Sequence, residues 1–157
     1  MEIRASEVAR ATNGTLRGAD VAIDGAAFDS RDLRAGQLFV PIVAERDGHD
    51  FVATAVTAGA AATLASRPIE AGVPVIEVAD TARALMDLAT WARAQLPAAV
   101  VGITGSVGKT STKDLVHAAV AGARRTVSNE RNFNNELGLP VTVLGAPADT
   151  QVLVLEM

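Results

Sequence analysis

The sequence predicts an α/β fold in two parts: a small mixed α/β unit over residues 1–80, then a linker helix and the start of a parallel-sheet unit over residues 81–157. Three observations predict it. Short apolar, partly β-branched runs alternate with short helical segments through the first half, as in layered α/β structure. One long amphipathic segment, residues 80–95, separates the halves. Beyond it, the apolar run 98–103 passes directly into the glycine-rich turn Thr104-Gly105-Ser106-Val107-Gly108 and then into a helical segment, the order of a buried parallel strand followed by its crossover helix.

Each element has its local reason. Residues 6–12 read as a short helix with Ser6 as N-cap. Residues 26–29 and 37–42 read as strands around the charged turn 30–36, and residues 50–58 as a helix capped by Asp50 and ended by Gly59. Residues 62–66 and 74–78 are apolar and partly β-branched, hence strands. In the 80–95 helix, Leu85, Leu88, Ala89, Ala92 and Leu96 fall on one face, Asp80 or Thr81 caps the start, Pro97 ends it and Trp91 reads as a packing residue. Residues 109–121 read as a helix stopped by Gly122, residues 126–127 as the start of a strand, residues 132–138 as polar loop or helix start, and residues 152–155 as a second buried strand. An apolar strand followed only by Glu156 and Met157, with no crossover helix, predicts a piece of a longer protein.

Composition narrows the function classes. The 157 residues are 49% hydrophobic and 20% charged, an ordinary globular balance that excludes a disordered or fibrous chain. Alanine occupies 31 positions and aromatics only 3%, so the core must be built from small aliphatic side chains. A net charge of −4 without a basic stripe argues against a nucleic-acid partner. The absence of cysteine excludes a disulfide scaffold and a thiolate metal site. Met1-Glu2-Ile3-Arg4 has no apolar run behind it and no stretch is long enough to span a membrane, so a cytoplasmic protein without membrane insertion is expected.

The chemistry concentrates in Gly105-Ser106-Val107-Gly108-Lys109-Thr110. Glycines let successive backbone N–H groups converge on one point, and the helix that follows aims its positive end at the same point. Lys109 adds a full charge for the outer phosphates of a triphosphate, and the Thr110 hydroxyl is placed to meet Mg²⁺. The strict phosphate-loop pattern wants glycine where Ile103 stands, and Gly102 is one residue too early. Glu156, at the carboxyl end of an apolar strand, is placed to serve the metal; its plain alternative is a solvated strand end. In Asn132-Phe133-Asn134-Asn135-Glu136-Leu137-Gly138 the polar side chains suit capping and a phosphate site equally. The two histidines, His49 and His117, make no metal pattern, and His117 reads as a packing or solvated residue.

The run from Gly102 through Gly105, Gly108, Lys109, Thr110 and Ser111 to Asp114 resembles the ATP loop of the Mur ligases, the ATP-dependent amide-forming enzymes of peptidoglycan synthesis, whose loop departs from the strict pattern in the same way. Phe133-Asn134-Asn135-Glu136-Leu137-Gly138-Leu139-Pro140 is similar to the branch that joins D-alanyl-D-alanine to UDP-N-acetylmuramoyl-tripeptide. Phe28-Asp29-Ser30-Arg31, Gly36-Gln37-Leu38-Phe39-Val40-Pro41 and Asp47-Gly48-His49-Asp50-Phe51 resemble the UDP-binding N-terminal domain that this branch shares with the ligases adding the third amino acid. The resemblance covers essentially the whole chain, in order.

It implies a UDP-substrate-binding domain over residues 1–80 and a truncated P-loop ATPase domain over residues 81–157, with ATP and Mg²⁺ as cofactors. Gly105, Ser106, Val107, Gly108, Lys109, Thr110 and Ser111 would bind ATP, Lys109 and Glu156 would be catalytic, and Thr110 and Glu156 would serve the metal. Ser30, Arg31, His49, Asn134 and Asn135 would contact substrate. The chemistry implied is phosphorylation of the tripeptide carboxylate, then attack on the acyl phosphate by the dipeptide amine. The family's second metal site, modified lysine, adenine contacts and dipeptide site lie in domains beyond this stretch, so the chain alone is expected not to ligate, and the full-length protein is expected to be a monomer. The ligase that adds the third amino acid and a non-catalytic UDP-sugar- or nucleotide-binding module are the alternatives; a GTPase switch would need an Asn-Lys-x-Asp motif, which the sequence lacks.

Overall fold

The computed structural model describes residues 1–130 and 133–157. The first unit is built from β1 (Glu2–Arg4), α1 (Ala5–Ala11), β2 (Thr15–Arg17), β3 (Ala22–Asp24), β4 (Ala26–Ala27), β5 (Leu38–Phe39), a 3-10 turn (Gly48–Phe51), α2 (Val52–Thr57), β6 (Ala62–Ala65) and β7 (Val75–Glu77). β4, β5, β6 and β7 are parallel, and β2 lies antiparallel beside β7, giving the order β2-β7-β6-β5-β4. β1 and β3 form a separate antiparallel ladder centred on Ile3 and Ile23. After α3 (Thr81–Gln95) come β8 (Ala99–Ile103), α4 (Lys109–Ala121), β9 (Thr126–Ser128), α5 (Gly138–Leu144) and β10 (Val152–Glu156). Here three parallel strands lie in the order β8-β10-β9. The fold class is thus α/β throughout, mixed in the first sheet and wholly parallel in the last.

α3 ties the two units together. Its buried face, Leu85, Leu88, Ala89 and Ala92, belongs to one apolar cluster with Ile3, Val8, Leu64 and Ile76 on one side and Val143, Leu144 and Leu153 on the other. Trp91 packs at the margin of this cluster, as a packing residue should. The Asp80 carboxylate accepts from the Arg83 N–H at 2.9 Å and caps the helix start. At the other end the Arg93 guanidinium donates to the carbonyls of Leu96 and Ala98 at 3.1 and 2.8 Å, placing a cation where the helix carbonyls are exposed. A second cluster, with Leu33, Phe39, Val52, Ala55 and Ala60, fills the space under α2. Among the described residues no helix is long and apolar enough to cross a membrane.

Several local expectations are corrected. α1 starts at Ala5, with Arg4 in the cap position and its N–H held by the Glu7 carboxylate at 2.8 Å. The Ser6 N–H and hydroxyl bond instead to the Asp20 carboxylate at 2.9 and 3.0 Å, so a distant acid does the work assigned to Ser6. Asp47, not Asp50, caps the 48–57 segment by accepting from the His49 N–H at 2.9 Å. β8 is parallel as expected but not buried: it is the sheet edge, and Val100 is 45% exposed. The reason is placement, because α4 packs chiefly over β9 and β10 and leaves the outer strand bare. β10, with the same apolar character, is central and buried along its whole length. In the 132–138 segment Asn132 lies outside the described residues, and the helix begins only at Gly138.

Candidate functional site

β8 delivers the chain to the glycine turn, and α4 leads away from it. Gly105 and Gly108 have φ of +150° and +80°. A Cβ on Gly108 would meet no atom within 4 Å, so the left-handed dihedral, not lack of space, is what selects glycine there. Gly108 is the N-cap of α4, and its carbonyl accepts the Thr112 N–H at 2.9 Å to open the helix. Ser106 and Val107 stand at the exposed tip of the turn, Val107 almost wholly so. Lys109, Thr110 and Ser111 follow in the first turn of α4.

Glu156 is the last residue of β10 and pairs in register with Ile103, the last of β8. That register sets its carboxylate beside the start of the glycine turn. It is buried, and both oxygens are engaged: Oε2 accepts from the Thr110 hydroxyl at 3.0 Å and Oε1 from the Asn134 amide at 3.2 Å. A hydroxyl and a carboxylate in contact at the mouth of a phosphate loop fit a hard divalent cation such as Mg²⁺, which takes one or two protein oxygens and completes its shell with phosphate and water. Among the described residues no group of three or more acidic or histidine side chains would hold a metal unaided, so phosphate oxygens would have to share in such a site.

The asparagines divide their work. Asn134 reaches Glu156, whereas the Asn135 carbonyl oxygen accepts from the N–H groups of Leu137 and Gly138 at 3.2 and 2.8 Å and shapes the entry to α5. Two further residues join the site: Asn129, which nothing in the sequence singles out, and Lys113, which lies in the run from Gly102 to Asp114 that carries the resemblance. Asn129 is wholly buried and bonds to the Glu156 backbone; Lys113, also buried, donates to the Asn129 carbonyl at 2.9 Å. Lys113 lies one helical turn after Lys109, on the inward face of α4.

A second candidate site lies in the first unit. A cleft of about 800 Å³ is lined by Ser30 and Arg31 together with Glu45, Arg46, Gly48 and Phe51. The Arg31 guanidinium is bound to Asp29 in two-pronged fashion, with Nε to Oδ1 at 2.9 Å. Those bonds hold the Asp29 carboxyl below its usual range and raise Arg31. Most of the Arg31 side chain stays exposed and open to an anionic group. Through Phe28 and Asp29 the cleft meets a second hollow of about 330 Å³ that reaches Glu130 and Phe133. Phe28 and Phe133 rest ring against ring, 5.8 Å between centroids, one residue short of Asn134.

His49 is not brought to that cleft. It is buried, with Nδ1 2.5 Å from the Asp47 carboxylate and Nε2 accepting from the Ser66 N–H at 3.1 Å. With Nε2 the acceptor, Nδ1 carries the proton and donates to Asp47. Nε2 therefore ties the 48–51 turn to the chain just past β6, and Nδ1 braces the turn's own cap residue. The backbone N–H of His49, and then its ring, hold the Asp47 carboxyl down to about 2.

A parallel strand, a glycine turn, a helix opening on lysine and threonine, and a strand-end carboxylate against the threonine are the arrangement of the P-loop α/β class. Within that class, residues 103–157 match the Mur ligase middle domain. The whole chain is similar to the UDP-N-acetylmuramoyl-tripeptide–D-alanyl-D-alanine ligase of Escherichia coli K12, at 39% identity over all of this chain and 35% of that protein. It superposes on the corresponding ligase of Acinetobacter baumannii with a TM-score of 0.90 and 31% identity, covering all of this chain and 36% of that one. It also superposes on Thermotoga maritima MurF in complex with ADP, with a TM-score of 0.72 and 34% identity over 85% of this chain and 31% of that one. The chain is thus Mur-ligase-like throughout, and among those ligases it is similar to MurF. It spans about a third of the length of the relatives it matches.

Proposed function

We propose that this chain supplies the UDP-substrate site and the phosphate-handling half of the ATP site of a MurF-type ligase, which joins D-alanyl-D-alanine to UDP-N-acetylmuramoyl-tripeptide. The observation that carries the reading is the 3.0 Å contact between Thr110 and Glu156 at the mouth of the glycine turn. A buried carboxylate is costly to hold, and this one is set against a hydroxyl on the exposed first turn of the helix that follows the glycine turn. Similarity along the full chain to the MurF ligases supports the substrate half.

In this reading residues 1–80 hold the UDP end of the substrate, with Ser30 and Arg31 in the cleft, and residues 81–157 hold the phosphates. The backbone N–H groups from Gly105 to Gly108, with Ser106, Val107 and Ser111, cradle the triphosphate. Lys109 places its charge against the outer phosphate, where negative charge must be spread as the phosphoryl group passes to the tripeptide carboxylate. Thr110 and Glu156 would hold Mg²⁺, whose chemistry when bound is to neutralise the phosphate oxygens. Asn134 orients Glu156, and Asn135 fixes the loop on which Asn134 sits. The hollow from Phe28 to Phe133 would carry the substrate's peptide from the cleft toward the glycine turn. This geometry asks only for positioning and charge neutralisation; the acyl phosphate forms on the substrate and no side chain need act as nucleophile.

Titrating ATP with Mg²⁺ into the folded chain tests the reading. Saturable binding displaced by ADP is expected. A folded chain that takes up neither nucleotide would overturn it.

A further inference from the structure

The β9–β10 ladder ends at Ser128 and Val154, two residues short of Glu156. On the other edge of β10, pairing with β8 continues through Glu156 itself. One side of the critical strand end would therefore lose its backbone partners, were it not for Asn129. The Asn129 Oδ1 accepts the Glu156 N–H at 2.8 Å, and its Nδ2 lies 3.4 Å from the Glu156 carbonyl. The side-chain amide thus takes the place of the missing strand residue, offering one acceptor and one donor as a peptide group would. The same Nδ2 donates to the Phe133 carbonyl at 3.1 Å, immediately before Asn134. The Asn129 backbone carbonyl receives the Lys113 ammonium at 2.9 Å, from the helix that carries Thr110. One fully buried residue is joined to all three elements that meet at the Glu156 carboxylate.

We infer that Asn129, with Lys113 as its strut to α4, is the positioning residue that sets the Glu156 carboxylate, Thr110 and Asn134 in register for a divalent cation. The inference rests on the metal role proposed for Glu156. Neither residue touches the cation or the phosphates: Asn129 acts through the Glu156 backbone and Lys113 through Asn129. The purpose of burying a lysine there is geometric, since among the described residues its partners are the Asn129 carbonyl and, at 3.3 Å, the Asp114 carboxylate. Supporting groups behind a metal ligand typically change metal affinity ten- to a hundredfold when removed.

The test is the ratio of ATP affinity with saturating Mg²⁺ to that in EDTA, measured calorimetrically on the full chain as wild type, Asn129→Ala, Lys113→Met and Glu156→Gln, alongside the thermal midpoint of each. The expected result is a Mg²⁺ enhancement reduced about tenfold in Asn129→Ala and about threefold in Lys113→Met, with affinity in EDTA within twofold of wild type. A merely structural role would lower the midpoint while leaving the ratio unchanged, and that result overturns the inference. If Asn129→Ala does not fold, Lys113→Met alone decides on the same ratio, because it leaves the Asn129–Glu156 bonds in place. A ratio lost in Glu156→Gln but intact in both other variants overturns the positioning role and leaves the ligase reading standing. Absence of ATP binding by the wild-type chain overturns both.

Discussion

The two candidate sites are built by opposite means. The phosphate loop itself is a contiguous run of sequence whose shape is set by local geometry, and Glu156, Asn129 and Lys113, brought in by the sheet and the helix, form a buried polar network behind it. The cleft in the first unit is assembled from separate loops around residues 29–31 and 45–51, and one of its expected members, His49, turns out to hold the fold. Residues adjacent in a motif keep their roles when the backbone between them is fixed by glycines and a helix start. Residues gathered from several loops must each be located, and a buried histidine with both nitrogens occupied is a structural part of its loop.

A parallel contrast runs through the last sheet, and it gives the largest expected effect. Leu153 lies fully buried on central β10, and Val101 lies on edge strand β8 with over a third of its surface exposed. Leu153→Ala should cost about 3 kcal/mol in denaturant unfolding, whereas Val101→Ala should cost roughly 0.5 kcal/mol or less. Equal losses would mean that β8 is buried in the folded chain and that the contrast between the strands is false.

His49→Gln should be next in size. It removes the ring that satisfies the Ser66 N–H and the Asp47 carboxylate, at about 2 kcal/mol in stability. Because the ring lines no part of the Ser30–Arg31 cleft, the affinity for the UDP-linked substrate in the folded variant should change less than twofold. A selective loss of substrate affinity without loss of stability would return His49 to the binding site. The smallest effect is the acid limb. Asp47, ordinarily near 3.8, is held at about 2 in the folded chain, so its charged form favours folding. That contribution is complete above about pH 4 and fades as the pH falls through 2. Asp47→Asn should flatten the fall in stability between these limits, as followed by circular dichroism; an unchanged acid limb would show that the carboxylate gains nothing from its neighbours.

What was legible in the sequence follows the same division. The α3 face, the strand 99–103, the glycine turn and α4 could be read because each is announced by local periodicity or spacing. β1, β2 and β3 could not: three residues with one buried or half-buried side chain are too short for a period-2 pattern to show, and Ile3 finds Ile23 only through tertiary pairing. Burial of β8 was wrongly expected because an apolar run reports strand character but not its place in the sheet. Asn129 was invisible because its role depends on the ladder stopping at Ser128, which only the three-dimensional register reveals.

Two separate ligand sites are proposed on this chain, one for phosphates at Lys109 and one for the UDP-linked substrate in the first unit. The most direct measurement is paired calorimetric titration of MgATP and of UDP-N-acetylmuramoyl-tripeptide into the wild type and Lys109→Ala. ATP affinity should fall about ten- to a hundredfold, as expected for the loss of a charged hydrogen-bond donor, while substrate affinity stays within twofold. A parallel fall in both affinities by a folded variant would contradict that separation.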